Sequence, residues 1–236
     1  MCHLCPSASR SRRRFLVSAT AGMLTGLVAG PAWSAGGATT AVTPDEAQAK
    51  LVEGNARYVE SPEVCTVDVG LMRELVAPGQ APWATIVSCA DSRVPPELLF
   101  GGLGVGELFV ARNAGNMADT ATMGTIEYGA GVLGIPLIVV LGHERCGAVS
   151  AACDVVSKKA RFPGSIGPMV QAIVPAARAT AGKPGDHVDN TVRESALRTA
   201  HRVTTKSPIV SALVKKSKVK VVAAYYDLDT GLVSFL

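Results

Sequence analysis

The sequence is poor in aromatic and charged residues, and it lacks repeats. Aromatic side chains make up 5% of the 236 residues and charged side chains 18%. No internal repeat or low-complexity tract follows residue 40, which, with a hydrophobic content of 48%, excludes a fibrous or disordered chain. The 24 glycines lie among short apolar runs, as is typical of a close-packed α/β domain. The length allows one sizeable domain or two small ones.

Acidic residues are absent from the first 44 positions, and this absence accounts for the net charge of +4. Four arginines lie at positions 10–14; removing them from the 23 basic residues leaves 19, equal to the 19 acidic residues. Nucleic-acid binding requires basic residues clustered on a folded domain. The best candidate, KKSKVK at 215–220, alternates into a predicted strand without an aromatic residue. We therefore expect no nucleic-acid partner.

The N-terminal segment has the features of an export signal. SRRRFL precedes a moderately apolar stretch at 16–29, and small residues at Ala32 and Ser34 suit cleavage after Ser34. This stretch is shorter than the roughly 20 residues that a membrane-spanning helix needs, and no other segment could span a membrane. The segment resembles the twin-arginine signal, which exports folded proteins across the bacterial inner membrane. An uncleaved anchor or a basic tail is the alternative.

These features predict a periplasmic or secreted protein. The expected organisation is a signal peptide at 1–34, a linker at 35–43 and a single domain at 44–236.

Two of the six cysteines lie in the expected leader, and the domain keeps Cys65, Cys89, Cys146 and Cys153. An exported chain with four thiols is typical of a disulfide framework. Cys89 and Cys146, however, lie beside an aspartate and a histidine in the manner of metal ligands. The state of Cys65 and Cys153, free or paired, stays open at this point.

Strands and helices alternate after residue 83. Short apolar runs predict strands, namely ATIVS, ELFVARN, IPLIVVLGH and KVVAAYYD. Helical patterns lie between them, and an earlier helix opens with Thr43 as N-cap and Pro44 in the first position. A longer helical region at 165–216 is interrupted at AGKPGD. The alternation predicts an α/β fold, with a mainly parallel sheet flanked by helices and an N-terminal helical arm.

Reactive side chains follow two of these strands. CADSR begins at Cys89 after ATIVS, and HERC spans His143 to Cys146 after IPLIVVLG. Ligand sites in parallel sheets gather at the carboxyl ends of the strands, so we expect the two segments to meet. Cys89, His143 and Cys146, with Asp91 as a fourth candidate, form a ligand set that suits Zn²⁺ and disfavours Mg²⁺ or Ca²⁺.

Arg93 suggests a second role for Asp91. A guanidinium that forks onto a carboxylate keeps it ionised and holds it away from a metal. The fourth zinc position would then be free for water, whose pKa zinc lowers to about 7, and Asp91 could orient the resulting hydroxide. Taken singly, each residue also has a structural interpretation, such as a core cysteine or a turn salt bridge.

Three segments together, CADSRVPPELL, GELFVARNAGN and VVLGHERCGAV, closely resemble the β-class carbonic anhydrases. The resemblance runs from about Pro44 to Leu236. It implies that Cys89, His143 and Cys146 bind zinc and that Asp91 and Arg93 form a catalytic pair. It also implies reversible hydration of carbon dioxide to bicarbonate and a proton, by attack of zinc-bound hydroxide.

The resemblance implies a substrate pocket and an oligomer. Gln80 matches a glutamine that donates to the substrate across a subunit interface in one branch of the family. Phe109, Ala114 and Tyr128 match residues that line the narrow carbon dioxide pocket, although each could simply pack in the core. Gly147 matches the place where a backbone N–H meets the substrate. The family also implies a homodimer or higher homo-oligomer.

Other features of the resemblance leave alternatives. Another branch has a tryptophan where this chain has Ile86, so we do not expect that branch's inhibitory bicarbonate pocket, and the Asp91–Arg93 pair should be intact at neutral pH. His187 or His201 could carry the proton away, but a surface histidine is the commoner case. Rival functions are a hydrolase of CS₂ or COS with the same site, a non-catalytic zinc-binding module, and a thiol hydrolase.

Overall fold

The computed structural model describes residues 39–61 and 69–236, and within them a five-stranded sheet forms the centre of the fold. The spatial order of the strands is β2-β1-β3-β4-β5; the first four are parallel and β5 is antiparallel to β4. The strands are β1 Ala84–Cys89, β2 Leu108–Asn113, β3 Leu137–His143, β4 Lys220–Tyr226 and β5 Val233–Phe235. The predicted α/β fold is confirmed.

Helices cover both faces of this sheet. The described helices are α1 Pro44–Glu60, α2 Val69–Val76, α3 Pro96–Leu99, α4 Thr120–Gly131, α5 Gly147–Lys158, α6 Ile166–Thr180, α7 His187–Lys206 and α8 Pro208–Lys215. None of the helices in these ranges is long and apolar enough to cross a membrane. The predicted signal peptide at 1–34 lies outside the described residues.

Local signals explain where several helices begin. The predicted start of α1 is confirmed: Thr43 accepts a hydrogen bond from the backbone N–H of Glu46, whose carboxylate accepts one from Thr43 in return. The predicted interruption at AGKPGD separates α6 from α7. A second interruption, which the prediction did not include, separates α7 from α8, because Ser207 acts as an N-cap and Pro208 cannot continue α7.

The core lies on the two faces of the sheet. On one face, Ile86 of β1 packs with Leu51 of α1 and with Leu99 of α3. On the other face, Ile138 of β3 packs with side chains of α4, α7 and α8, including Val203. Every residue of β1 and of β3 is buried, which explains why both strands are near-continuous apolar runs.

The strand order determines where a site can form. The chain passes from β1 to β2 on one side and then crosses to β3 on the other side, so the carboxyl end of β1 is a switch point of the sheet. Crevices form at such points in open α/β sheets. Cys89 ends β1 and His143 ends the neighbouring β3, so both residues border this crevice.

Candidate metal centre

Three buried side chains meet at the carboxyl edge of the sheet. The donor atoms of Cys89, His143 and Cys146 all lie within 4.8 Å of one another, and the two Sγ atoms are 4.0 Å apart. Cys89 comes from the end of β1, His143 from the end of β3 and Cys146 from the N-cap position of α5. The sequence therefore predicted correctly that these two segments converge.

The imidazole of His143 is oriented as a metal ligand. Its Nδ1 atom lies 2.9 Å from the carbonyl oxygen of Glu144. Because a carbonyl oxygen can only accept, Nδ1 carries the proton and Nε2 presents a lone pair. Nε2 is buried without a hydrogen-bond partner in the structure, and buried polar atoms normally have one. A metal ion bound at Nε2 would satisfy this atom.

The two thiols share their ionisation. The hydrogen bond from Cys146 lowers the pKa of Cys89, with smaller contributions from His143 and from the backbone N–H of Gly115, 3.4 Å from Cys89 Sγ. The same contact, together with burial, raises the pKa of Cys146. One sulfur is thus readily anionic, and a divalent cation would stabilise both as thiolates. Two thiolates and one imidazole fit zinc and do not fit Mg²⁺ or Ca²⁺.

Asp91 and Arg93 form an intact pair beside this cluster. The Nε atom of Arg93 donates to Asp91 Oδ1 at 2.9 Å, and its Nη2 atom donates to Oδ2 at 2.7 Å. These bonds hold the pKa of Asp91 well below its usual range. Oδ2 lies 3.9 Å from His143 Nε2, yet the carboxylate is not one of the three clustered donors. Asp91 therefore borders the centre while Arg93 binds both of its oxygens.

Arg112 also shapes the site, although it was not among the residues predicted from the sequence. From the second-last position of β2, its Nε donates to the carbonyl of Cys89 at 2.9 Å and its Nη2 to the carbonyl of Asp91 at 2.6 Å. These bonds fix the backbone that carries one cluster residue and the carboxylate. The sequence did contain a signal for this role: Arg112 is a basic side chain near the carboxyl end of the predicted strand ELFVARN, at the edge of the sheet where ligands bind.

The predicted substrate-binding residues divide into two groups. Ala114 follows Asn113, which is paired with Cys89 across β1 and β2, and Gly147 begins α5 directly after Cys146. Both therefore lie at the metal end of the sheet. Nothing lies within 4 Å of the position that a Cβ on Gly147 would occupy, so the space beside it is open.

The second group lies at the other end of the strands. Phe109 is paired with Thr85, four residues before the Cys89 pair, and this offset corresponds to roughly 13 Å along the sheet. Tyr128 lies beside Phe109, with ring centroids 6.3 Å apart. Gln80 is exposed in the segment before β1. Within one chain, these three residues do not reach the cluster.

The remaining predicted residues are located as follows. His187 Nε2 lies 2.9 Å from the carbonyl of Ala177, and His201 is exposed on α7. Ile86 is fully buried in β1. Cys153 is a buried free thiol, 3.4 Å from the hydroxyl of Thr191. Cys65 lies outside the described residues, so its pairing stays a question.

Comparison with known proteins gives a consistent result. The sequence pattern of the carbonic anhydrase family matches residues 84–233. The chain is 35% identical over 189 residues to carbonic anhydrase 2 of Mycobacterium tuberculosis, covering 80% of this chain and 90% of that protein. It is 32% identical over 190 residues to the carbonic anhydrase of Mycolicibacterium smegmatis, covering 80% and 92%.

Solved structures are similar in fold. The β-carbonic anhydrase of Coccomyxa, solved with acetazolamide, superimposes with a TM-score of 0.62 at 30% identity, covering 79% of this chain and 84% of that one. A structure described among the tetrameric β-carbonic anhydrases of Sordaria macrospora gives a TM-score of 0.61 at 22% identity, covering 80% and 93%. At that identity the likeness shows the fold alone.

Proposed function

The chain belongs to the β-class carbonic anhydrase family, and from that premise we propose that it hydrates carbon dioxide with a zinc ion held by Cys89, His143 and Cys146. The reaction of a carbonic anhydrase is the reversible conversion of carbon dioxide and water to bicarbonate and a proton. The observation that carries the site assignment is the buried, unpartnered Nε2 of His143 beside two buried thiols.

The chain contributes the ligands and their orientation. Zinc would supply Lewis-acid activation of water near neutral pH, which requires three protein ligands and one open position. The Sγ atoms of Cys89 and Cys146 and the Nε2 atom of His143 would hold the ion. The hydrogen bond from His143 Nδ1 to Glu144 keeps the ring in the tautomer that can bind metal.

Asp91 would orient the reacting water. Its carboxylate is ionised because Arg93 donates to both oxygens, so it can only accept hydrogen bonds. A water molecule that donates one proton to Asp91 Oδ2 can direct a lone pair to the carbon of carbon dioxide. Arg93 would also keep Asp91 from occupying the position that this water needs.

Ala114 and Gly147 would border the substrate from the same chain. The methyl group of Ala114 offers an apolar contact to a substrate without charge. The backbone N–H of Gly147 lies in the first turn of α5, where backbone N–H groups have no carbonyl partner within the helix. It is therefore available to donate to an oxygen of carbon dioxide or of bicarbonate.

We propose that Gln80, Phe109 and Tyr128 contribute to the site of a partner chain in a homodimer or larger oligomer. Their location at the opposite end of the strands from Cys89 supports a role outside their own chain's site. Light scattering of the purified protein tests this proposal, and a monomer with full activity would contradict it.

We also propose that residues 1–34 direct export to the bacterial periplasm and are then removed. The support is the sequence itself, with its arginines, its apolar stretch and the small residues before position 35. The test is the intact mass of the protein recovered from the periplasmic fraction. A full-length chain retained inside the cell would contradict the proposal.

Metal analysis together with stopped-flow assays of carbon dioxide hydration tests the site. We expect Asp91→Asn to keep about one zinc per chain and lose rate, whereas Cys146→Ser should lose zinc as well. Glu53→Ala, which removes an exposed ion pair on α1, is the control and should change neither. Turnover of CS₂ or COS without hydration of carbon dioxide would instead support the hydrolase alternative, and an active enzyme without metal would overturn the proposal.

A further inference from the structure

The segment between His143 and Cys146 is tied to the turn that follows β4. We call residues 143–146 the ligand loop and residues 227–232 the β4–β5 turn. The backbone N–H of Glu144 donates to the carbonyl of Tyr226 at 2.8 Å. Glu144 Oε2 accepts a hydrogen bond from the backbone N–H of Leu228 at 3.1 Å. The ligand loop is thus bound to the end of β4 through the backbone of Glu144 and to the β4–β5 turn through its side chain.

Arg145 makes a second connection to the same turn. Its Nη1 atom donates to Asp229 Oδ2 at 2.9 Å and its Nη2 atom to Oδ1 at 2.6 Å, a two-point contact between guanidinium and carboxylate. Arg145 Nη1 also donates to Glu144 Oε1 at 3.1 Å. Arg145 therefore links the side chain of its neighbour to the turn.

The turn itself is fixed by local hydrogen bonds. The side chain of Asp227 accepts from the backbone N–H of Asp229 at 3.0 Å and from that of Thr230 at 2.8 Å. Gly231 closes the turn with a φ of 77°, a conformation that glycine adopts without strain. Asp229 is therefore presented from a constrained segment, which gives Arg145 a defined attachment point.

The ligand loop needs such an attachment because its backbone is strained. Arg145 has a φ of 52°, in the left-handed region that residues with a Cβ adopt at an energetic cost. Strained conformations of this kind persist only where surrounding contacts enforce them. Here the conformation decides how His143 and Cys146, on either side, approach one point. An isolated exposed ion pair would contribute little to stability. The pair of Arg145 and Asp229, however, holds the two-residue link that joins the metal ligands His143 and Cys146.

We propose that Glu144, Arg145 and Asp229, which we call the ligand-loop strap, position His143 and Cys146 for binding the metal. The proposal rests on the proposed function, since it takes the zinc site as given. The three are positioning residues. The backbone carbonyl of Glu144 accepts a hydrogen bond from Nδ1 of His143, and the contact between Arg145 and Asp229 holds the loop that carries this carbonyl. Without the strap, the site should still form but should hold zinc less firmly.

The test compares zinc loss from holoenzyme variants. Asp229→Ala removes the attachment point, and Arg145→Gly removes the guanidinium while giving the backbone a residue that tolerates the positive φ. We expect a chromophoric chelator to remove zinc roughly 10-fold faster from each variant than from the unaltered enzyme. Glu53→Ala, which breaks an exposed pair on α1, is the matched control and should lose zinc at the original rate.

A spectroscopic measurement separates positioning from general destabilisation. Cobalt(II) replaces zinc in each protein, and its visible and thiolate charge-transfer bands report the arrangement of the ligands. Shifted bands in both strap variants, with unshifted bands in Glu53→Ala, support the proposal. Arg145→Lys, which keeps the charge but cannot fork onto Asp229, should give an intermediate rate of zinc loss. Thermal unfolding in excess chelator measures the effect on the metal-free fold separately.

The outcomes distinguish this inference from the proposed function. If the unaltered enzyme binds zinc and hydrates carbon dioxide, but both strap variants match it in zinc loss and cobalt spectrum, the strap has no positioning role and only this inference falls. If the unaltered enzyme binds no zinc, the proposed function falls first. If a strap variant fails to fold, Glu144→Gln replaces it in the same test. We expect this variant to fold, because its side-chain oxygen can still accept from the backbone N–H of Leu228, while its contact with Arg145 is weakened.

Discussion

Removing the side chain of Arg93 tests whether Asp91 must be held away from the metal cluster. Asp91 receives three hydrogen bonds from Arg93: two from the guanidinium at 2.9 and 2.7 Å, and one from the backbone N–H at 3.0 Å. Arg93→Ala removes the first two and keeps the third. Because Asp91 Oδ2 already lies 3.9 Å from His143 Nε2, a modest rotation would bring the carboxylate to the metal.

The expected loss of rate in Arg93→Ala follows from the solvent exposure of the Asp91–Arg93 pair. Hydrogen bonds to charged groups contribute about 1.5–3 kcal/mol when they are shielded from water. The Arg93 side chain is 51% exposed, so solvent screening reduces the combined contribution well below that range. Since 1.4 kcal/mol is a factor of ten, the ratio of chains with Asp91 off the metal to chains with it on the metal should fall by at most roughly tenfold. We expect kcat to fall by no more than that factor.

Stopped-flow assays of carbon dioxide hydration measure this loss of kcat. Metal analysis measures the zinc content, and chelator competition measures how fast zinc leaves. Zinc should stay bound and leave more slowly, because the freed carboxylate becomes a fourth protein ligand. Arg57→Ala, on α1, is the control. Full kcat in Arg93→Ala would refute the reasoning, as would faster zinc loss.

Three further predictions concern stability and are measured by urea unfolding. Asp119→Ala should lower the free energy of unfolding by about 1 kcal/mol, since Asp119 caps α4 by accepting from the backbone N–H of Thr122. That bond lowers the pKa of Asp119 in the folded state, so its charge stabilises the fold above about pH 4 and the stabilisation is lost as the pH falls through the lowered pKa; an unchanged difference at pH 2.5 would contradict this. Asn55→Ala should cost about 3 kcal/mol, because the buried amide bonds two backbone carbonyls and one backbone N–H that would lose their partner, and a loss below 1 kcal/mol would argue against it. Gly115→Ala should cost about 2–4 kcal/mol, because φ is 83° and a Cβ would lie 2.7 Å from Ile173 Cδ1; full stability would show that the turn can relax.

Much of the fold could be predicted because local signals and burial agree. The strands β1 and β3 are buried on both faces, so an uninterrupted apolar run was sufficient to identify each. The start of α1 was predictable because Thr43 and Pro44 each satisfy a requirement of a helix N-terminus. The break between α7 and α8 was missed although Ser207 and Pro208 carry the same kind of signal, because the pattern on either side is helical throughout.

The candidate metal site could be predicted because its three ligand residues are chemically distinctive and lie at or just after strand ends. The contacts that support it could not, since they join residues far apart in sequence through ordinary side chains. Asp229 binds Arg145 across 84 positions, and Arg112 reaches the carbonyl of Cys89 across 23. Neither residue type is unusual in a turn or in a strand, so the sequence alone gives no reason to pair them.

The register of the sheet decides which predicted substrate residues one chain can bring together. Cys89 is paired with Asn113 and Thr85 with Phe109, so the residue that precedes Ala114 lies level with the metal cluster while Phe109 lies roughly 13 Å away along the strands. A motif match cannot reveal this difference, because both residues belong to one continuous segment of sequence. Side chains at the two ends of a strand can serve one small substrate only if they come from different copies of the chain. Because the substrate roles of Phe109 and Ala114 come from the resemblance, the register supports the proposed partner-completed site by showing that one chain does not bring these residues together.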